Sequence, residues 1–210
     1  MRRRQSPPRN WISNAVDQRV MSEQQSSQLL PGLFEGIAQE QRINVLHLGP
    51  VMPETVEFFS DYRCKLYIND LFAELPLVFQ PGDEQTVAQR VSRLLDFPES
   101  VAFDVCLFWD LFNYLDEDGV RAVMNCLRSR LAPGARAHAF AVHNTRAARR
   151  DGRYAVVSAG EICVRPRAPA LPCYSPHPQA RLKEWLDGFE VKRSVLLAES
   201  RLELLLQARH

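Results

Sequence analysis

Apolar positions along this chain fall into two alternating arrangements: short unbroken runs, and stripes at helical spacing between them. Ile43, Val45, Leu46 and Leu48 form one run, in RINVLHLGP, that stops at Gly49-Pro50. A run of that length bounded by a turn reads as a strand buried on both faces. CKLYIND, closing on Asp70, and FDVCLFWD, starting at Phe103, read the same way, as does Ala135 to Val142. Between them, Pro53 to Tyr62 presents Val56 and Phe59 on one side, with Pro53 and Glu54 suited to a first helical turn. Thr86 to Leu95 (Val87, Val91, Leu94, Leu95) and Glu117 to Leu131 (Val120, Val123, Leu127, Leu131) repeat the helical stripe. Pro133-Gly134 is expected to stop the second of these helices. Leu29 to Gln41 predicts a short amphipathic helix, and Gln179 to Leu186 a further helix with Leu182, Trp185 and Leu186 inward.

Strands alternating with helices imply right-handed crossovers and a parallel sheet covered on both faces. The last two runs, FEVKRSVLLA and RLELLLQA, lie only a few residues apart and predict an antiparallel pair closing that sheet. The expected fold is therefore α/β: a doubly wound, mostly parallel sheet of the seven-stranded type with a C-terminal antiparallel hairpin. Three stretches are less regular. LPLVFQPGD allows a short strand or irregular chain before its Pro-Gly turn, Tyr154 to Val164 suits a hairpin arm, and Pro166 to Pro178 holds five prolines. Residues 1–28 carry arginines, prolines and a Ser/Gln cluster without an apolar period, and are expected as a disordered basic arm ahead of a single domain over 29–210.

Composition narrows the class. A net charge of +1 gives no global signal for nucleic acid or an anionic membrane surface. No apolar run reaches the roughly 20 residues of a bilayer span. Five scattered cysteines (Cys64, Cys106, Cys126, Cys163, Cys173) form neither a CxxC pair nor a zinc-spaced cluster, which fits a reducing cytoplasm. His138 and His143 have no neighbouring acid or cysteine to complete a metal site, so none is expected. RAARRDGR, from Arg146, reads as a solvated loop, with a clamp for an anionic substrate as the sharper option. A nicotinamide oxidoreductase is the weaker alternative, because GxGxxG is absent.

Over Arg42 to Arg209 the order of pieces resembles a class I S-adenosylmethionine-dependent methyltransferase. VLHLGP stands at the family's first strand and glycine loop, and LYIND ends in Asp70 about 20 residues past Gly49, as expected of a ribose-binding acid. FDVCLFWDLFNYL followed by LRSRLAPGAR resembles the fourth strand, helix and LxPG turn, and GFEVKRSVLLAESRLELLLQA the terminal hairpin. The resemblance implies S-adenosylmethionine as cofactor and a small-molecule methyl acceptor. It places Gly49, Pro50 and Asp70 against the cofactor, with Asp83 or Asp96 as the third-strand acid near its adenine. Trp109 and Asp110 would line the methionine end, and Asn113 and His143 the substrate pocket; no catalytic base is named. Against this pattern stand a loop with one glycine, GPVMPET, and His47 where the family usually has an acid. A histidine supplies no negative charge there at neutral pH. The alternative is a methyltransferase-like module without catalysis, whose cofactor position is filled.

Overall fold

The computed structural model describes residues 22–38, 40–77 and 85–209. Its elements run β1 (Glu23–Ser26), α1 (Pro31–Phe34), β2 (Ile43–Leu48), α2 (Pro53–Ser60), β3 (Cys64–Asn69), α3 (Val87–Leu94) and β4 (Phe103–Trp109). They continue with α4 (Glu117–Arg128), β5 (Leu131–Val142), β6 (Gly152–Ser158), β7 (Glu161–Pro166), α5 (Gln179–Trp185), β8 (Phe189–Leu196) and β9 (Arg201–Ala208).

The main sheet has the order β3-β2-β4-β5-β9-β8. β3, β2, β4 and β5 pair in parallel, and β9 enters antiparallel between β5 and β8. The unbroken apolar runs have the predicted cause: β2 and β4 are central, and their successive side chains feed two different cores. Leu46, Leu48, Cys106 and Phe108 face a cluster shared with Val91, Val123 and Leu182 of α3, α4 and α5. Val45, Val105, Leu107 and Trp109 face the other cluster, with Phe59 of α2, Phe140 and Leu205. Helix starts follow ordinary capping chemistry. Thr86 and Gln89 form a reciprocal capping box on α3, and the Asp116 carboxylate accepts the Gly119 N–H at 2.8 Å on α4. Each such cap stabilises by about 1 kcal/mol.

Four expectations change. The main sheet has six strands among the described residues rather than seven; residues 78–84 lie outside them, together with Asp83. The helix expected over 29–41 shrinks to α1, since Gly36 turns the chain at φ +81, although Leu29, Leu30 and Leu33 are buried as the pattern required. α4 ends at Arg128, and Pro133-Gly134 lies within β5, where Gly134 at φ +77 accompanies a register shift against β4. Residues 23–26, assigned to the N-terminal arm, form β1 on β7. Their partner strand supplies the hydrogen bonds that the local composition gives no hint of.

β1, β7 and β6 make a second, antiparallel sheet. It lies on the same side as α2, where the Val156 N–H donates to Thr55 Oγ1 at 3.1 Å. The hairpin arm expected over Tyr154 to Val164 is thus present and docked on the fold. Among the described residues, no helix is long and apolar enough to cross a membrane.

Candidate functional site

Parallel strands deliver their last residues to one end of a sheet, and ligands of open α/β sheets gather there. Here β2, β3 and β4 bring Gly49, Asp70 and Trp109-Asp110 together. The Gly49 N–H donates to the Asn69 carbonyl at 2.8 Å, tying the first two strand ends. Gly49 has φ +147, a conformation that favours glycine. The space beside it is taken: a Cβ at Gly49 would meet ring carbons of Phe72 at 3.3 and 3.4 Å and of Trp109 at 3.6 Å. Pro50 follows, half-buried.

Trp109 is the crux of this packing. A tryptophan at φ +52 costs on the order of 1–3 kcal/mol, so its neighbours must hold it. Tyr154 of β6 does so, stacked on the indole with ring centroids 5.4 Å apart and planes 11° apart. His47 and His138 meet the same indole edge-on at 5.7 and 5.8 Å. His47 is fully buried, neither ring nitrogen has a partner among the described residues, and burial pushes its pKa down to about 4. It is neutral at physiological pH.

Asp110 is 3% exposed. Its Oδ2 accepts a hydrogen bond from the Tyr154 hydroxyl at 3.3 Å, while Oδ1 has no partner among the described residues. Burial pushes its pKa up to about 7, against the opposing pull of Arg167, Arg201 and the Tyr154 hydroxyl. Asn113 reaches the Phe140 carbonyl at 3.4 Å and lines the same small cavity as Asp110. Asp70 is exposed at its strand end; partial burial raises its pKa, with Arg167 and the Phe72 and Ala73 N–H groups opposing. Arg167, just past β7, lies 4.2 Å above the Phe72 ring and bridges the fields of Asp70 and Asp110.

Of the remaining candidates, Asp96 stands apart. Asp96 is exposed beside Phe97, whose ring packs edge-on against Tyr67 and Phe103 at the start of β4. His143 is exposed, its N–H donating to the Ser200 carbonyl at 2.7 Å. His138 is held by Glu203 at 2.8 Å. The basic run is largely neutralised by its own surroundings: Arg149 pairs with Asp151 at 2.6 Å and Arg150 with Glu199 at 2.6 Å.

Four site residues escaped the sequence: Phe72, Tyr154, Arg167 and Arg201. No spacing links residue 154 to residue 109, and only the docking of β6 on α2 makes them neighbours. The one available signal was the predicted hairpin, which had to pack on something.

No family model matches the chain, and no curated protein matches its sequence. Solved structures match its shape. An S-adenosylmethionine-dependent methyltransferase from Mesorhizobium loti superposes with a TM-score of 0.52, covering 84% of this chain and 96% of that one at 11% identity. The Burkholderia thailandensis 1,6-didemethyltoxoflavin-N1-methyltransferase, solved with 1,6-didemethyltoxoflavin and S-adenosylhomocysteine, gives 0.50 over 87% and 78% at 15% identity. At those identities the likeness is one of fold. The architecture is that of the class I methyltransferases, as the motif order implied.

Proposed function

We propose that this methyltransferase-fold chain is a small-molecule binding module that does not use S-adenosylmethionine. The observation that carries this reading is that Phe72 and Trp109 fill the side of Gly49 that a Cβ would take, their ring carbons 3.3–3.6 Å from its position. Rings that close leave no layer for an adenosyl group on that side of the glycine. Neutral His47 offers no charge for the cofactor's ammonium, and Pro50 and Pro53 offer no N–H donors to its carboxylate. The residues present do not fit the cofactor, so no transfer step is derived through it. A cytoplasmic location is supported by five cysteines that are all unpaired.

A second reading, a working methyltransferase, draws on one observation. The Asp70 carboxylate stands exposed at the end of β3 with Gly49 bonded to the neighbouring Asn69. Calorimetric titration separates the two. We expect no saturable heat from S-adenosylmethionine or S-adenosylhomocysteine up to about millimolar ligand. Binding in the micromolar range that Asp70→Ala abolishes overturns the module reading.

A further inference from the structure

Two cavities adjoin at the edge of the second sheet. The inner one, about 20 Å³, ends on Asp110 and Asn113 and has room for about one water-sized group. The outer one, about 630 Å³, lies between β6, β7 and the start of β9, and its walls include Val164 and Pro166. Arg150, Tyr154 and Arg201 line both. Neither is lined by Gly49 or Asp70.

The chemistry of the inner cavity is unfinished. Asp110 Oδ1 and Arg201 Nη2 are both buried, and neither has a hydrogen-bond partner among the described residues. Arg201 is otherwise engaged, stacked 4.5 Å over the Phe140 ring and donating from Nη1 to Gln25 Oε1 at 3.3 Å. An unpartnered acceptor and an unpartnered donor in one buried recess each cost free energy until something supplies the matching group. The second pair of charges on this wall, Arg150 and Glu199, already satisfies itself at 2.6 Å. What is left open is therefore one carboxylate and one guanidinium.

We infer that these adjoining cavities bind a free α-amino acid with an apolar side chain. The ammonium, a water-sized group, enters the inner cavity and donates to Asp110 Oδ1, the carboxylate accepts from Arg201 Nη2 where the two cavities meet, and the side chain lies in the outer cavity against Tyr154, Val164 and Pro166. A zwitterion engages both the open carboxylate oxygen and the open guanidinium nitrogen, whereas a plain amine or acid leaves one of them without a partner. The inference rests on the reading that the strand-end loop is closed, because a small ligand at this end of the sheet then has to enter beside that loop.

Calorimetry on the full chain with L-phenylalanine and L-leucine tests it. Saturable binding is expected, at least about tenfold tighter than for phenethylamine or 3-phenylpropionate, each of which lacks one charged group. Asp110→Asn and Arg201→Gln, each checked for wild-type circular dichroism, should both weaken L-phenylalanine about tenfold or more, and Asp70→Ala should leave it unchanged. Absence of heat from both amino acids at about 10 mM, or equal affinity for a singly charged analogue, overturns the inference. S-adenosylmethionine binding that depends on Asp70 would sink the closed-loop reading alone; amino-acid binding that depends on Asp110 would survive it.

Discussion

Among the described residues two carboxylates are buried on this sheet, and they are treated in opposite ways. Glu203 of β9 is surrounded by donors: the Ser27 hydroxyl, His138 Nε2 at 2.8 Å, and the N–H groups of Gln28 at 3.1 Å and Leu29 at 3.3 Å. Burial works to raise its pKa, but those contacts outweigh it and hold the carboxyl below its ordinary range. Asp110 has one hydroxyl at 3.3 Å and one empty oxygen, and burial pushes it up to about 7. A buried acid with both oxygens engaged is a clamp, here fastening residues 27–29 to the core. One left half-engaged is a place where something else binds.

The largest test of that contrast is Glu203→Ala. Removing one member of a buried network strands His138 and the strap donors, and should cost about 3–5 kcal/mol. For a domain of this size that lowers Tm by roughly 6–20 °C. A loss under about 1 kcal/mol would mean that Glu203 clamps nothing.

The next effect is a pH dependence with two opposing arms. Asp110 has a folded pKa of about 7 against an ordinary 3.8, so the folded state holds the extra proton between those values. Its contribution is present below pH 3.8 and lost as pH rises to about 7, by at most about 4 kcal/mol. His47 runs the other way: its folded pKa of about 4 lies below the ordinary 6.5, so stability is lost as pH falls from 6.5 toward 4. Denaturant melts across that range should show Asp110→Asn gaining stability as pH rises from 4 to 6.5, and His47→Leu losing it. Parallel slopes in the two variants would show that one of these groups is not buried as described.

Tyr154→Phe is a smaller change. It keeps the stack on Trp109 and deprives Asp110 of its one hydroxyl, at about 1–3 kcal/mol by equilibrium unfolding above pH 7. Smallest is Glu117→Gln, which breaks the exposed 2.8 Å pair with Arg121 and should shift stability by under about 1 kcal/mol. If that exposed pair proved worth as much as Tyr154, burial would not be the variable that separates the two acids.

How far the sequence foretold this molecule depends on the range of the forces involved. Strand positions in β2, β4 and β9 were legible because burial on both faces demands unbroken apolar runs. α3 followed from its stripe. The length of the first helix was not legible, because the apolar pattern over 29–41 reports burial of Leu29, Leu30 and Leu33 without requiring helical backbone. β1 could not be seen either, since Glu-Gln-Gln-Ser becomes a strand only when β7 supplies its partner. In the site, Gly49, Asp70, Trp109, Asp110 and Asn113 were placed near the strand ends by the order of elements and the family resemblance together. Asp96 was drawn in by the family pattern, and the fold leaves it exposed elsewhere, while His143 is exposed at the end of β5, next to Val142 of the inner cavity.

The chain by itself determined the strands and helices and their succession along the sequence, because periodicity and turn residues act within a few positions of one another. It also carried the missing glycines and His47. The tertiary structure decided what those departures mean. Tyr154 and Arg167 come to Trp109 and Phe72 across large sequence separations, and only packing reveals that the strand-end loop is covered by rings while a buried carboxylate nearby is left half-engaged.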